Sequence, residues 1–211
     1  MGRHQAAENE PERKMRIMLY LFSEEILAAT GKEKRQQQSK IGYQLLAFGL
    51  RDEYGIDKLP DIGKREHGKP YLPDYPHIHF NVSHCQNGIV CGIHEKEIGV
   101  DIEKLLVYKE NIVKRISHEN EWKLFGHVPD EEKNRIFGRI WVSKESYLKQ
   151  QGTGINRDLR SLDFSACTRD AFFQYGCRFQ IRQMENCNIA VCSEKEICGI
   201  RVLGASDLQN I

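Results

Sequence analysis

Apolar and polar positions divide the chain into short extended runs set around two long helical segments. Residues 15–22 (MRIMLYLF) form an almost unbroken apolar run and predict an opening strand. Residues 30–38 are rich in Lys, Glu and Gln and read as exposed. From 39 to 54, Ile41, Leu45, Leu46, Phe48 and Leu50 recur at helical spacing, and Gly55 is a stop signal. Residues 60–76, dense in Gly, Pro and charge, predict a long connecting loop. Residues 78–82, 88–94 and 98–102 predict three short strands, the first two joined by a turn at Gln86-Asn87-Gly88. Residues 108–116 are weakly helical. Pro129, followed by Asp130, Glu131 and Glu132, opens a helix, because acidic groups in the first turn suit the helix dipole. That pattern runs to Gln151 and stops at Gly152. Residues 172–181, 188–192 and 197–203 predict further strands.

The order is strand, helix, strands, then helix and strands again, which predicts an α+β fold. No repeat by sequence identity is visible, but the order permits two similar α+β halves meeting near residues 104–108. The expected division is a polar tail at 1–14, an N-terminal half at 15–105 and a C-terminal half at 106–211. The tail lacks the apolar core of a secretion signal. No apolar run reaches about 18 residues, so no membrane span is expected.

Composition narrows the function classes. The 211 residues are 40% hydrophobic and 29% charged, enough to bury a core without disulfide or zinc staples. A net charge of +1, from 31 basic and 30 acidic residues, argues against a nucleic-acid binder. An anionic ligand would have to be held by a few placed cations. The seven cysteines are odd in number and show no CxxC spacing, which predicts reduced core thiols and a cytoplasmic protein.

Four short blocks carry candidate chemistry. In Gly99-Val100-Asp101-Ile102-Glu103, strand alternation puts Asp101 and Glu103 on one face and Val100 and Ile102 on the other. Two neighbouring carboxylates need water or a cation, and hard oxygen donors suit Mg²⁺. In the helix over residues 136–151, Phe137, Ile140, Trp141 and Leu148 form an apolar arc. Lys144 falls inside that arc, with Glu145 and Lys149 at its edge. A lysine that breaks an apolar arc marks a functional position. In Phe80-Asn81-Val82-Ser83-His84, Ser83 and His84 sit where a strand runs into a turn. They point to opposite faces, so they are not a nucleophile and its base. In Gly68-Lys69-Pro70, the proline and glycine restrain a lysine that is able to meet a phosphate. Taken singly, each block also has a plainer reading. These are solvated acids at a strand end, a snorkelling lysine beside an i,i+4 pair, a surface turn and a loop lysine.

Together, in this order and at this spacing, the blocks GKP, FNVSH, GVDIEK and WVSKESYLKQQGTG resemble the surfactin-synthetase-activating (Sfp) type of 4′-phosphopantetheinyl transferase. The match covers roughly residues 68–154. The resemblance implies a pseudo-dimer of two α+β halves with coenzyme A in the cleft between them, and a monomeric chain. It implies Asp101, Glu103 and Glu145 as ligands of Mg²⁺ (Mn²⁺ being the alternative). It places Lys69, Ser83 and His84 at the 3′-phosphate, Lys144 and Lys149 near the pyrophosphate, and Ser39 near the nucleotide. Asp101 would contact the cofactor as well as the metal. Glu121 matches an acidic residue often assigned to the site. Gln38 stands where the family commonly has a basic residue, which removes or moves one phosphate contact.

The implied reaction moves the phosphopantetheine arm of coenzyme A onto a serine of an acyl or peptidyl carrier protein. In it, Glu145 serves as base and Lys149 stabilises the leaving phosphate. Two other readings share these residues: a metal-dependent phosphohydrolase and a non-catalytic carrier-binding module.

Overall fold

The computed structural model describes residues 17–23, 30–154, 158–184, 186–195, 197–209 and 211. The expected N-terminal tail lies outside the described residues. The elements in chain order are β1 (Ile17–Phe22), α1 (Gly31–Tyr54), β2 (Gly63–Lys64), β3 (Pro70–Tyr71), β4 (His79–Cys85), β5 (Gly88–His94) and β6 (Ile98–Lys104). They continue with α2 (Glu110–Ile116), α3 (Glu119–Phe125), α4 (Asp130–Gln151), β7 (Ala171–Gln174), β8 (Cys177–Met184), β9 (Cys187–Ser193), β10 (Ile197–Leu203) and α5 (Ala205–Leu208). The fold is mixed α+β.

Two of these elements differ from the sequence expectation for local reasons. Helix α1 begins at Gly31, ahead of Ser39, and takes in the Lys- and Gln-rich stretch. Thr30 is its N-cap: its hydroxyl accepts from the Glu33 amide at 3.2 Å, and the Glu33 carboxylate accepts from the Thr30 amide at 2.9 Å. This reciprocal capping box satisfies two donors that would otherwise be orphaned at the helix start. The run at 172–181 is a hairpin, broken at Tyr175 and Gly176, which both have positive φ. By contrast, α4 starts after Pro129 and stops at a left-handed Gly152, as read from the sequence.

The strands form two four-stranded sheets, in the orders β10-β1-β5-β4 and β6-β9-β8-β7, and a small β2-β3 hairpin inside the long loop. The expected boundary at residue 105 falls after β6, whereas β6 is hydrogen-bonded along its length to β9. In return β10 runs parallel to β1 at the edge of the first sheet. The two sheets thus exchange chain ends across that position. The arrangements β1-β5-β4 with α1 and β6-β9-β8 with α4 have the same order.

Alternation along the strands sorts the core into layers. Tyr20 and Phe22 on β1 pack with Leu45 and Leu46 of α1. Leu19 and Leu21 face the other way and meet Val100, Ile102, Ile189 and Val191 of the second sheet. On the far side, Phe137, Ile140 and Leu148 of α4 pack with Phe164, Phe179 and Ile181. Each such buried side chain contributes about 1.5–3 kcal/mol of transfer free energy. The order is therefore helix, sheet, sheet, helix.

Candidate active site

The site begins at the edge of β6. Its Gly99 lies against the backbone of α4, where an added methyl would collide with the Ser146 carbonyl and the Gln150 amide. Only glycine permits this approach, and it brings the carboxylate face of β6 up to the Glu145–Lys149 turn of α4. The opposite edge of β6 meets β4. There Asn81 Oδ1 accepts from the Val100 amide at 2.9 Å, and Ser83 Oγ accepts from the Ile102 amide at 3.4 Å. Two side chains spaced by two residues thus satisfy two alternate backbone donors of a strand edge. This explains why short polar residues interrupt the apolar FNVSH strand.

Ser83 also joins the charged centre. It donates to Asp101 Oδ1 at 2.9 Å, and Lys149 Nζ donates to Ser83 Oγ at 2.7 Å and to Asp101 Oδ1 at 2.6 Å. Asp101 is 2% exposed. Its other oxygen, Oδ2, and Glu145 Oε1 are both buried, and neither has a hydrogen-bond partner. Burial, and then the negative charge of Asp101, push the Glu145 carboxyl above its ordinary range, while Lys149 pulls the other way. Glu103 is raised by burial and by Asp101 as well, and it accepts a 3.4 Å bond from Trp141 Nε1.

A cleft of about 300 Å³ opens beside this centre. Gly68, Lys69, Glu145, Lys149, Gly152 and Gly154 line it, so the GKP block and both ends of the KESYLKQQGTG block converge there. Gly152 and Gly154 both have positive φ, and neither places a side chain in the opening.

A model of the 4′-phosphopantetheinyl transferase superfamily matches residues 97–195, which hold β6, α4 and the second sheet. A 4′-phosphopantetheinyl transferase of Bacillus subtilis is 35% identical over 158 residues, 69% of each chain. The chain belongs to the 4′-phosphopantetheinyl transferase family. The Sfp transferase of Bacillus subtilis is 34% identical over 123 residues, 57% of this chain and 54% of that one. The HetI transferase of Nostoc is 40% identical over 94 residues, 42% of this chain and 40% of that one.

Against the roles that resemblance to this transferase family implied, the structure divides the residues. Asp101, Glu145, Lys149 and Ser83 come together. The metal trio does not form as a preassembled centre: among the described residues no three His, Cys, Asp or Glu side chains are gathered in metal-holding geometry. What Asp101 and Glu145 offer is two buried carboxylate oxygens without a hydrogen-bond partner. That donor set fits a Mg²⁺ ion, which takes one or two carboxylates and completes its shell with phosphate oxygens and water.

Lys144 departs from its expected role. It is fully buried, and its ammonium pairs with Glu121 at 2.8 Å. It also donates to the carbonyls of Ile116 (2.7 Å), Leu159 (2.7 Å) and Leu162 (2.9 Å). Glu121 in turn accepts from the amides of His118 (2.8 Å) and Phe164 (2.6 Å). None of these groups lines the cleft. The lysine breaks the apolar arc because it pairs with a buried carboxylate, and it neither snorkels to solvent nor lines the cleft.

Lys69 lines the cleft, but its ammonium is engaged by Glu97 (2.6 Å), the Gln150 carbonyl (2.8 Å) and the Ile98 carbonyl (3.3 Å). Glu97 was not legible as a site residue. It also pairs with Arg65 at 2.6 Å and His79 at 3.1 Å. Burial would raise its carboxyl, but these bonds overcome that and hold it well below the usual carboxylate range. His84 is exposed on β4 but keeps one side of its ring against the protein; that partial desolvation, and then the charge of Lys149, lower its pKa. Ser39 is exposed on α1, away from the cleft lining. Its neighbour Gln38 is buried and donates to the Cys85 carbonyl at 2.7 Å, closing the end of β4.

Proposed function

We propose that this chain transfers the 4′-phosphopantetheine arm of coenzyme A to a serine of an acyl or peptidyl carrier protein, releasing 3′,5′-ADP. The observation that carries this reading is the Ser83–Asp101–Lys149 network, with the unpartnered buried oxygens of Asp101 and Glu145, beside a cleft that Glu145, Lys149 and three glycines line. The matched relatives carry the transferase name, and the GKP, FNVSH and KESYLK blocks supply Lys69, Asn81, Glu145, Leu148 and Lys149 to the cleft wall, with Asp101 of GVDIE bonded to Lys149 behind it.

In this reading Asp101 and Glu145, with Glu103 beside them, hold Mg²⁺ or Mn²⁺. When bound, such an ion neutralises charge on the pyrophosphate of coenzyme A and orients it. Glu145 accepts the proton of the carrier serine at the carboxylate oxygen that the ion would leave free. Lys149 holds Asp101 in place and supplies positive charge to the departing phosphate. Ser83 couples β4 to both. The bonds of Lys69 support a positioning role, clamping the end of α4 to β6, in place of a direct phosphate contact. His84 is the exposed basic group of the FNVSH block left for an anionic substrate.

The matching orders β1-β5-β4 and β6-β9-β8 support a pseudo-dimer in one chain, with the cleft where β4, β6 and α4 meet. A monomer is then sufficient. A cytoplasmic location fits the reaction, and no helix among the described residues is long and apolar enough to cross a membrane.

Incubation with coenzyme A, Mg²⁺ and an apo carrier protein tests the proposal. A mass gain equal to the phosphopantetheine arm on the carrier serine is expected. Release of 3′,5′-ADP without any carrier would point to a phosphohydrolase. Binding of the carrier with no mass gain would point to a non-catalytic module.

A further inference from the structure

Cys85 is the last residue of β4 and Cys187 the first of β9, so the two thiols meet across the junction of the two sheets. Their sulfurs are 3.6 Å apart, and the residues are 102 positions apart in the chain. We propose that Cys85 and Cys187 form a modification site, oxidised by a small hydroperoxide to a disulfide that clamps the first sheet to the second.

Three observations carry this. The first is distance: the sulfurs need to close by only about 1.5 Å to reach S–S bonding distance. Both residues stand at strand ends, next to the exposed Gln86-Asn87 turn and the exposed Asn186, where such a shift is cheapest. The second is access. Although the cysteines are only 8% and 5% exposed, Cys187 lines a cavity of about 40 Å³ whose other walls include the exposed Ser23, Asn87 and Asn186. That space admits a molecule of the size of water or hydrogen peroxide, with polar partners for it.

The third is chemistry. The bond with Cys187 brings the Cys85 thiol down to about 7 against the opposing effect of burial, helped by the amides of Asn87 and Gly88. Burial, and then the charge of Glu121, push Cys167 up to about 12, and burial alone raises Cys91, so those thiols stay protonated and inert.

One thiolate of the pair attacks the O–O bond of the peroxide and becomes a sulfenic acid, releasing water after proton uptake. The second thiolate attacks that sulfur, forming the S–S bond and expelling a second water. Two thiols are oxidised and one peroxide is reduced to two waters.

The test is to treat the full chain with hydrogen peroxide, alkylate the remaining thiols and map the peptides. A Cys85–Cys187 cross-linked peptide is expected, with the loss of two hydrogens, reversed by dithiothreitol. Because the bond closes so long a loop, the oxidised protein should melt at least about 5 °C higher than the reduced one. Cys85→Ser and Cys187→Ser should each melt like the reduced protein and show no peroxide-dependent rise. The proposal is overturned if both thiols remain alkylable after peroxide, if Cys177 and Cys192 are the pair that joins, or if the bond forms without raising the melting temperature.

Discussion

Lys149 on α4 and Asp101 on β6 are joined by a 2.6 Å ion pair, and Ser83 on β4 is bonded to both. Three elements from distant parts of the chain thus meet at one buried carboxylate. Removing the ammonium leaves Asp101 charged and under-solvated. Lys149→Met should destabilise the fold by about 1–3 kcal/mol, reduced from a fully buried pair because Lys149 is partly exposed. Urea unfolding of the single variants and of Asp101→Asn/Lys149→Met measures this. Strictly additive effects in the double variant would show that the pair is not coupled.

Glu145 carries the opposite signature, since its ionised form is opposed by burial and by Asp101. A carboxyl whose pKa is raised on folding holds its proton more tightly in the folded state. Its ionisation therefore costs stability as the pH climbs from about 4.5 through the raised value. Glu145→Gln should melt higher than the wild type at pH 8, by about 2–4 °C for each kcal/mol relieved. The gap should close as the pH is lowered towards 4.5. The same variant should lose phosphopantetheine transfer by at least about 100-fold. A variant that melts lower at pH 8, or one that keeps its activity, would contradict the role given to this carboxylate.

Gly99 is tested by one methyl group. The atoms it would strike are backbone atoms of α4, which cannot swing aside as a side chain can. Gly99→Ala should cost about 1–3 kcal/mol and reduce activity with it, because β6 and α4 are forced apart at the site. Gly31, at the start of α1, has nothing within 4 Å of an added methyl, and Gly31→Ala should leave the melting temperature unchanged or raised. Equal effects of the two substitutions would rule out the close approach as the reason for Gly99.

Lys144 separates folding from catalysis. Lys144→Met strands the fully buried Glu121 without its cation, and a loss of about 3–5 kcal/mol is expected. Glu121→Gln/Lys144→Met should recover much of that loss. In the folded fraction the KM for coenzyme A should stay within about twofold of the wild type, since neither group lines the cleft. A large rise in KM with little change in stability would return Lys144 to the substrate.

Much of this was legible in one dimension. Periodicity and end signals placed α4 between Pro129 and Gly152, and alternation put Asp101 and Glu103 on one face of β6 with Val100 and Ile102 in the core. The order and spacing of four motifs pointed to the family. These features are local, set by side-chain period, capping chemistry and backbone torsions within a few residues. The start of α1 was local too: Thr30 and Glu33 carry the capping-box pattern, hidden by the polar composition around it.

What only the tertiary structure decided concerns partners far apart in the chain. Sequence leaves Lys144 a misfit in an apolar arc, and only the fold brings Glu121 and three carbonyls to it. Lys69 looks like a free loop cation until Glu97 and the end of α4 close on it. The three acids suggest a ready metal trio, but the fold joins Asp101 to Lys149 and Ser83 and gives Glu103 to Trp141. A charged group finds its role through whichever opposite charge or orphaned carbonyl lies within about 3 Å, because burial makes an unpaired charge too costly to leave. That neighbour is set by the packing of sheet on sheet and helix on sheet, and no spacing along the chain records it.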